Sequence, residues 1–137
     1  MARRIKCVRR DIQLSEEVFG SGNIWWANDW SWIKIDGFNL PPNLNKKKTN
    51  CLVIIPDGYG YGCGLEEFYL DPGLRVRKKG KWVEIPHVFD DPSSSFNKFS
   101  QEGWRWFCIH PVWEEDDNLL TFLKRVELFL NDPFSFN

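Results

Sequence analysis

Hydrophobic and polar positions near the end of the chain recur at the spacing of an amphipathic helix. The apolar positions that define its buried face are Leu119, Leu120, Leu123, Val126 and Leu130. We expect Asp116 or Asp117 to cap the start of this helix, because a carboxylate there accepts backbone N–H bonds and complements the helix dipole. The helix should end at Asp132-Pro133, since proline disfavours helical structure at the residue before it.

The first half of the chain carries short apolar stretches that are typical of strands. Residues 24–35 contain many β-branched and aromatic side chains, with a turn expected at Asn28-Asp29. Residues 51–55 and 68–70 form two further predicted strands, and each is followed by a turn that contains proline and glycine. Residues 75–101 look like an irregular loop over the core. Strands followed by a helical end predict an α+β fold.

The amino-terminal region is charged and has no long apolar stretch. A short helix is predicted over residues 12–20, with Ser15 as its cap and Gly20 as its stop. Residues 1–11 are a candidate flexible tail, and they lack the apolar segment of a secretory signal. No apolar run in the sequence approaches the roughly 20 residues that span a bilayer. We therefore expect a cytoplasmic protein without a membrane partner.

Size and charge narrow the classes of function. The chain has 137 residues, of which 42% are hydrophobic, enough for one domain over residues 1–137 with its own core. Its net charge of −1 argues against nucleic acid as the main ligand, because such binding usually needs a basic stripe. Basic segments at 3–10, 46–48 and 75–81 are interpreted as solvated tails and loops, with a docking surface for an acidic protein as the alternative.

Cysteine, glycine and tryptophan patterns exclude some sites and leave others open. The cysteines at 7, 51, 63 and 108 include no CxxC pair, so neither a zinc site nor a disulfide framework is expected and no cofactor is predicted. The glycine-rich segment 56–62 lacks the GxxxxGK[ST] pattern of a phosphate loop. Four tryptophans, at 25, 26, 30 and 32, are interpreted as core residues, with a carbohydrate platform as the alternative.

The segment with the clearest chemical potential contains Cys108 and His110. If the backbone there is extended, the two side chains point to the same face, and Pro111 favours that conformation at His110. An imidazole beside a thiol can take its proton and make the sulfur a better nucleophile. A cysteine between aromatic and aliphatic neighbours is, however, more often an inert buried residue. Both interpretations stay open at this point.

The order of several short segments adds a resemblance to a known family. They are Ile35-Asp-Gly-Phe-Asn-Leu-Pro41, Ile55-Pro56-Asp-Gly-Tyr59, Phe68-Tyr-Leu-Asp-Pro72, Trp106-Phe-Cys-Ile-His110, and Trp113 followed by Asp117-Asn-Leu. In this order they resemble bacterial family E of the ubiquitin-conjugating-enzyme superfamily, from about Trp32 to Pro133. The resemblance implies a ubiquitin-conjugating-enzyme-like fold, an antiparallel β-meander with flanking helices.

The resemblance also implies an activity. A protein like a ubiquitin-activating enzyme would pass a ubiquitin-like protein to Cys108 as a thioester, with His110 as base or electrostatic helper. The ubiquitin-like protein would then be transferred to a protein target, in bacterial conjugation systems of which some are tied to antiviral defence. A binding module of the same fold, which holds a ubiquitin-like protein without reacting, is the alternative.

Two departures from the family pattern concern the transfer step. The superfamily at large carries a His-Pro-Asn tripeptide whose Asn supports the oxyanion, and this chain has none. His87 lies upstream of Cys108 but lacks the following Pro and Asn, and Gly60 stands where a proline follows the turn tyrosine. Oxyanion donors would have to come from His110, backbone N–H groups or another side chain.

Overall fold

The computed structural model describes residues 2–86, 88–89, 99 and 102–135. In chain order the elements are α1 (Ala2–Phe19), β1 (Ile24–Trp26), β2 (Trp32–Asn39), β3 (Lys48–Ile54), β4 (Glu67–Leu70), β5 (Arg75–Lys78), β6 (Lys81–Glu84), β7 (Val88–Phe89), β8 (Arg105–Cys108) and α2 (Leu119–Asn131). Within these ranges neither helix combines the length and the apolar character that crossing a membrane requires. Antiparallel strands together with two helices confirm the predicted α+β class.

The main sheet has the strand order β1-β2-β3-β4-β8-β7, with every neighbouring pair antiparallel. Strands β1 to β4 follow one another as a meander, and the predicted turn at Asn28-Asp29 is confirmed between β1 and β2. The register of β2 shifts between Ile35 and Phe38, where Gly37 has a φ of 72°. A glycine accepts this positive φ without steric cost, which allows the local irregularity.

Both helices pack on one face of this sheet and enclose the main core. Val8 and Ile12 of α1 are buried there with Ile33 and Val53 of the sheet. Aromatic rings join β4, β8 and α2, since the Phe68 ring stacks on Phe107 at a centroid distance of 5.2 Å and also contacts two rings of α2. Such rings remove large apolar areas from water, and their burial is a major source of stability in a small domain.

Helix α1 is longer than the sequence predicted. It begins at Ala2, so residues 2–11 are helical rather than a flexible tail, and Ser15 lies buried in the helix instead of capping it. Arg4, only 4% exposed, donates to the carbonyl oxygens of Pro56, Ile55 and Trp30 at 2.9 to 3.1 Å. These bonds satisfy a buried guanidinium and attach the first turns of α1 to the end of β3. The predicted stop at Gly20 is confirmed.

Helix α2 ends where the sequence predicted but is capped by a different residue. Asn118, rather than Asp116 or Asp117, is the N-cap, because its side chain accepts from the Leu120 and Thr121 backbone N–H groups. The Thr121 hydroxyl accepts from the Asn118 N–H in return, which completes a capping box. The buried face includes Phe122 and Phe129 besides the predicted positions, while Leu120 is only half-buried.

The prediction of an irregular segment over residues 75–101 is wrong for its first part. Strands β5 and β6 form a hairpin, a separate two-stranded sheet closed by Lys79 and Gly80. Val76 in β5 is buried in the main core and anchors this hairpin. Residue 87, residues 90–98 and residues 100–101 lie outside the described ranges, so the candidate residue His87 has no structural account.

Candidate functional site

Cys108 is the last residue of β8 and lies opposite Glu67 of β4 in the sheet register. Its Sγ is 3.6 Å from Nε2 of His110, so the two side chains share one face, as their spacing predicts. The thiol is partly buried, whereas 69% of the imidazole is exposed. The family resemblance implies a reactive cysteine in an irregular segment, but here the cysteine ends a strand within the sheet.

Glu66, which sequence reasoning missed, forms a row of three side chains with His110 and Cys108. Its Oε2 lies 2.7 Å from Nδ1 of His110, on the opposite side of the ring from the cysteine. The Ile109 N–H donates to the Glu66 carbonyl at 3.0 Å and holds the two chain segments together. A carboxylate that accepts from Nδ1–H leaves the Nε2 lone pair toward the thiol. The row therefore brings together a thiol, an imidazole that can act as a base and a carboxylate that can orient the imidazole.

The Cys108 thiol is not ionised by its surroundings. Burial, together with the negative charges of Glu67 and Glu66, raises its pKa to about 11. Burial and the neighbouring Glu66 also raise the pKa of the Glu67 carboxyl. A thiol with a raised pKa stays protonated near neutral pH and needs a base to become a good nucleophile. His110 is placed to be that base.

A cleft of about 530 Å³ lies between α1, the glycine-rich loop and the segment before α2. Its walls come from Arg3, Cys7 and Arg10 of α1, from the glycine-rich residues 59–63, and from residues 113–115 and 117. Trp113 packs against Gly64, where an added Cβ would lie only 2.5 Å from the Trp113 ring. The absence of a side chain at Gly64 thus lets the Trp113 ring, which lines the cleft, lie directly against the backbone.

Beneath this cleft a buried polar network holds the glycine-rich loop. The Tyr59 hydroxyl donates to the Asp11 carboxylate, and Arg10 forms an ion pair with the same carboxylate at 2.9 Å. Burial raises the pKa of Asp11, although the bonds from Tyr59 and Arg10 oppose that shift. Since the Leu119 backbone N–H also binds Asp11, the network connects α1, the loop and the start of α2.

Among the described residues, the remaining cysteines lack an imidazole and a carboxylate arranged as they are around Cys108. Cys51 is fully buried in β3, and burial raises its pKa, so it is a packing residue. Cys7 is half-buried on α1 rather than in a tail, and Cys63 is exposed in the glycine-rich loop. In the part of the chain that the structure describes, no three His, Cys, Asp or Glu side chains are grouped to hold a metal ion.

The tryptophan cluster is only partly explained by core packing. Trp25 and Trp26 of β1 are 53% and 41% exposed, so the core interpretation is wrong for them. Trp30 and Trp32 are partly buried against the two hydrophobic clusters. The Trp25 indole N–H donates to Asp36 at 3.0 Å, and Lys34 stands over its ring. These contacts give Trp25 a defined surface environment without placing it in the core.

No protein-family model, curated protein or solved structure matches this chain. The chemistry that the site can perform is therefore inferred from the geometry of its own side chains. A protonated thiol beside an oriented imidazole can attack an activated carbonyl when the imidazole removes its proton. The arrangement suits acyl transfer through a covalent intermediate on sulfur.

Proposed function

We propose that the chain carries a ubiquitin-like protein as a thioester on Cys108 and transfers it to a protein target. The observation that carries this proposal is the row Cys108–His110–Glu66, with distances of 3.6 Å and 2.7 Å between successive partners. The α+β architecture, with a helix before an antiparallel meander, supports the assignment to a ubiquitin-conjugating-enzyme-like protein. The most specific support for that assignment is the family resemblance of its segments.

In the charging step, the donor is the acyl group that an activating enzyme holds as a thioester. A bond forms between the Cys108 sulfur and the acyl carbon, and the bond from that carbon to the enzyme's sulfur breaks. His110 Nε2 takes the Cys108 proton and returns it to the departing sulfur. Glu66 stabilises the transient imidazolium and keeps Nε2 toward the sulfur.

In the transfer step, an amine of the target attacks the same acyl carbon. The new C–N bond forms, the C–S bond to Cys108 breaks, and the amine proton passes through His110 to the cysteine sulfur. Without a His-Pro-Asn tripeptide, the oxyanion needs another donor. The protonated His110, with Nε2–H near the reacting sulfur, can serve as one. The Ile109 N–H is already bonded to the Glu66 carbonyl, so it is a poor second donor.

A charging assay tests the proposal directly. The chain is mixed with ATP and with a ubiquitin-like protein and an activating enzyme encoded beside it, and the products are separated with and without reductant. We expect a reductant-sensitive adduct that Cys108→Ala abolishes and that the matched control Cys63→Ala, at an exposed cysteine, retains. The charging rate should fall about 100-fold in His110→Gln, since that change removes the base.

Glu66→Gln separates orientation from proton removal. An amide in place of the carboxylate keeps the size of the side chain but removes its negative charge, so we expect an intermediate loss, about tenfold, in the charging rate. Persistence of the adduct in Cys108→Ala would refute the proposal. So would the absence of any adduct when the ubiquitin-like partner is demonstrably activated.

A specific observation favours a second candidate function, a non-reacting binding module for a ubiquitin-like protein. Cys108 is partly buried at the end of a strand and has a pKa raised to about 11, as a packing cysteine would. This candidate predicts saturable binding of the ubiquitin-like protein that Cys108→Ser leaves unchanged. A covalent adduct at the Cys108 sulfur would eliminate it.

A further inference from the structure

The tip of the β5–β6 hairpin concentrates four positively charged side chains. Arg77, Lys78, Lys79 and Lys81 are all exposed, and none of them forms an ion pair with another residue in the described ranges. Lys78 lies directly opposite Lys81 in the hairpin register. Like charges in that arrangement repel and destabilise the strand pair. The basic hairpin tip, residues 77–82, is thus costly to fold.

The backbone conformation of the turn in this tip adds a second energetic cost. Lys79 and Gly80 have φ values of 51° and 78°, the positive values that a two-residue type I′ turn requires at both central positions. Asparagine, aspartate or glycine is preferred at the first of these positions, and a lysine there is uncommon. Functional sites are among the places where natural sequences break such local rules. Lys79, with its exposed charge at the turn, is therefore a candidate functional residue.

Two exposed aromatic rings accompany the charges. The Arg77 guanidinium lies 4.7 Å from the centroid of the Trp82 ring, and the Lys78 ammonium lies 4.2 Å from that of Phe134. Trp82 is 45% exposed and Phe134 is 40% exposed. Each ring thus has a cation beside it and a surface open to solvent. Positive charge and flat apolar surface alternate over a short distance.

We propose that the basic hairpin tip, with Phe134, binds single-stranded nucleic acid. Each nucleotide of such a strand offers a phosphate charge and a flat base, which match a lysine or arginine and an exposed aromatic ring. An acidic protein offers the charge without regularly spaced rings, and lysine is depleted at protein interfaces. A membrane surface offers the negative charge of anionic headgroups but no flat rings on which Trp82 and Phe134 could stack.

The net charge of −1 does not oppose this local binding. Salt screens charges that lie more than about 8 Å from a bound nucleic-acid strand at physiological ionic strength, so the four tip cations act on it more strongly than distant acids do. Four phosphate contacts predict a slope of roughly −3 for the logarithm of the binding constant against that of the salt concentration. The expected binding is modest in affinity and strongly salt-dependent.

The hairpin tip is separate from the cysteine site, so its function does not depend on the proposed conjugating activity. Arg105, at the start of β8, lies 3.9 Å from Glu84 at the base of the hairpin. Cys108 is at the other end of β8, about 10 Å further along the strand. A nucleic-acid strand bound at the hairpin tip would therefore leave the Cys108 thiol accessible.

Fluorescence anisotropy with the full chain tests the proposal, using labelled oligothymidylate and oligouridylate about 20 nucleotides long. We expect the triple variant Lys78→Gln/Lys79→Gln/Lys81→Gln to bind at least tenfold more weakly, because about three phosphate contacts are lost. The matched control, Lys6→Gln/Lys48→Gln/Lys124→Gln, removes the same charge from exposed positions elsewhere and should change binding little. A difference in affinity between the two oligonucleotides shows whether the tip prefers DNA or RNA.

Tryptophan variants separate base stacking from charge. Trp82→Ala should weaken binding about fivefold, the loss of one stacked base, whereas Trp25→Ala at another exposed tryptophan should not. Circular dichroism melts check that every variant folds. Equal weakening by the two lysine triples, or no effect of Trp82→Ala, would overturn the proposal. Equally effective competition by polyglutamate, or binding only to phosphatidylserine vesicles, would overturn it in favour of an acidic protein or a membrane.

Discussion

The Tyr59 hydroxyl donates a hydrogen bond to the fully buried carboxylate of Asp11. This bond connects the glycine-rich loop to α1 across 48 residues of sequence. A buried carboxylate has lost its hydration, and removal of a hydrogen-bond donor leaves that loss uncompensated. Removing the Tyr59 hydroxyl therefore costs more stability than the net contribution of an ordinary hydrogen bond. It also fixes the loop that forms one wall of the cleft.

Tyr59→Phe removes the hydroxyl and leaves the ring in place. We expect the free energy of unfolding in urea to fall by about 1–3 kcal/mol, the cost of leaving a buried acceptor without its partner. The control is Tyr61→Phe in the same loop, where the side chain is largely exposed and a change within about 0.5 kcal/mol is expected. Equal losses in the two variants would contradict the role of the Asp11 bond.

The same variant has a predicted pH dependence. Burial already raises the pKa of Asp11, and loss of the Tyr59 donor, which opposes that shift, raises it further. A carboxyl whose folded-state pKa exceeds its unfolded value of about 3.9 loses stability as pH rises through the folded-state pKa. The deficit of Tyr59→Phe should therefore be smaller near pH 4 than near pH 7. Urea titrations at the two pH values measure it, and a deficit that shrinks toward pH 7 would contradict this account.

Glu67→Gln tests the electrostatic environment of Cys108. A negative neighbour disfavours the thiolate, so removing the Glu67 charge lowers the thiol pKa from about 11 and increases the thiolate fraction at pH 8. We expect Cys108 to react with iodoacetamide about two- to fivefold faster. The increase is limited because a less basic thiolate is also a weaker nucleophile, which offsets part of the gain in thiolate fraction. Mass spectrometry of the Cys108 peptide gives the rate. Glu127→Gln, at an exposed position on α2, is the control and should leave it unchanged.

Gly64→Ala tests the contact between Gly64 and the Trp113 ring that lines the cleft. An added Cβ would lie 2.5–2.7 Å from three atoms of Trp113, so the tryptophan must move. We expect a loss of about 1–3 kcal/mol in the free energy of unfolding, as for other overpacked contacts. Gly22→Ala is the matched control, because nothing lies within 4 Å of its added Cβ. The interpretation fails if both alanine variants unfold at the same urea concentration.

Asn118→Ala tests the capping residue of α2. Two backbone N–H groups lose their side-chain acceptor, which should lower the free energy of unfolding by about 1 kcal/mol. Asp116→Ala serves as the comparison, since the sequence pattern made Asp116 a candidate cap but the structure places it outside the capping box. Urea unfolding of both variants decides between the two residues, and a larger loss in Asp116→Ala would reverse the assignment.

Short-range patterns in the sequence were sufficient for several elements. The end of α2 before Pro133, the helix stop at Gly20 and the turn at Asn28-Asp29 all follow from backbone restrictions of one or two residues. The common face of Cys108 and His110 likewise follows from a spacing of two in extended backbone. These features depend on neighbours in the chain, so a single sequence is enough to predict them.

Tertiary structure decided the features that depend on partners far away in sequence. Glu66 reaches His110 only because β4 pairs with β8, a contact across 44 residues that no local pattern specifies. The helical residues 2–11 pack against the sheet, where Arg4 finds three carbonyl acceptors that make burial of a charged residue possible. The sequence by itself determined the end of α2, the helix stop at Gly20, the turn at Asn28-Asp29 and the proximity of thiol and imidazole, whereas strand pairing and burial decided what orients that pair.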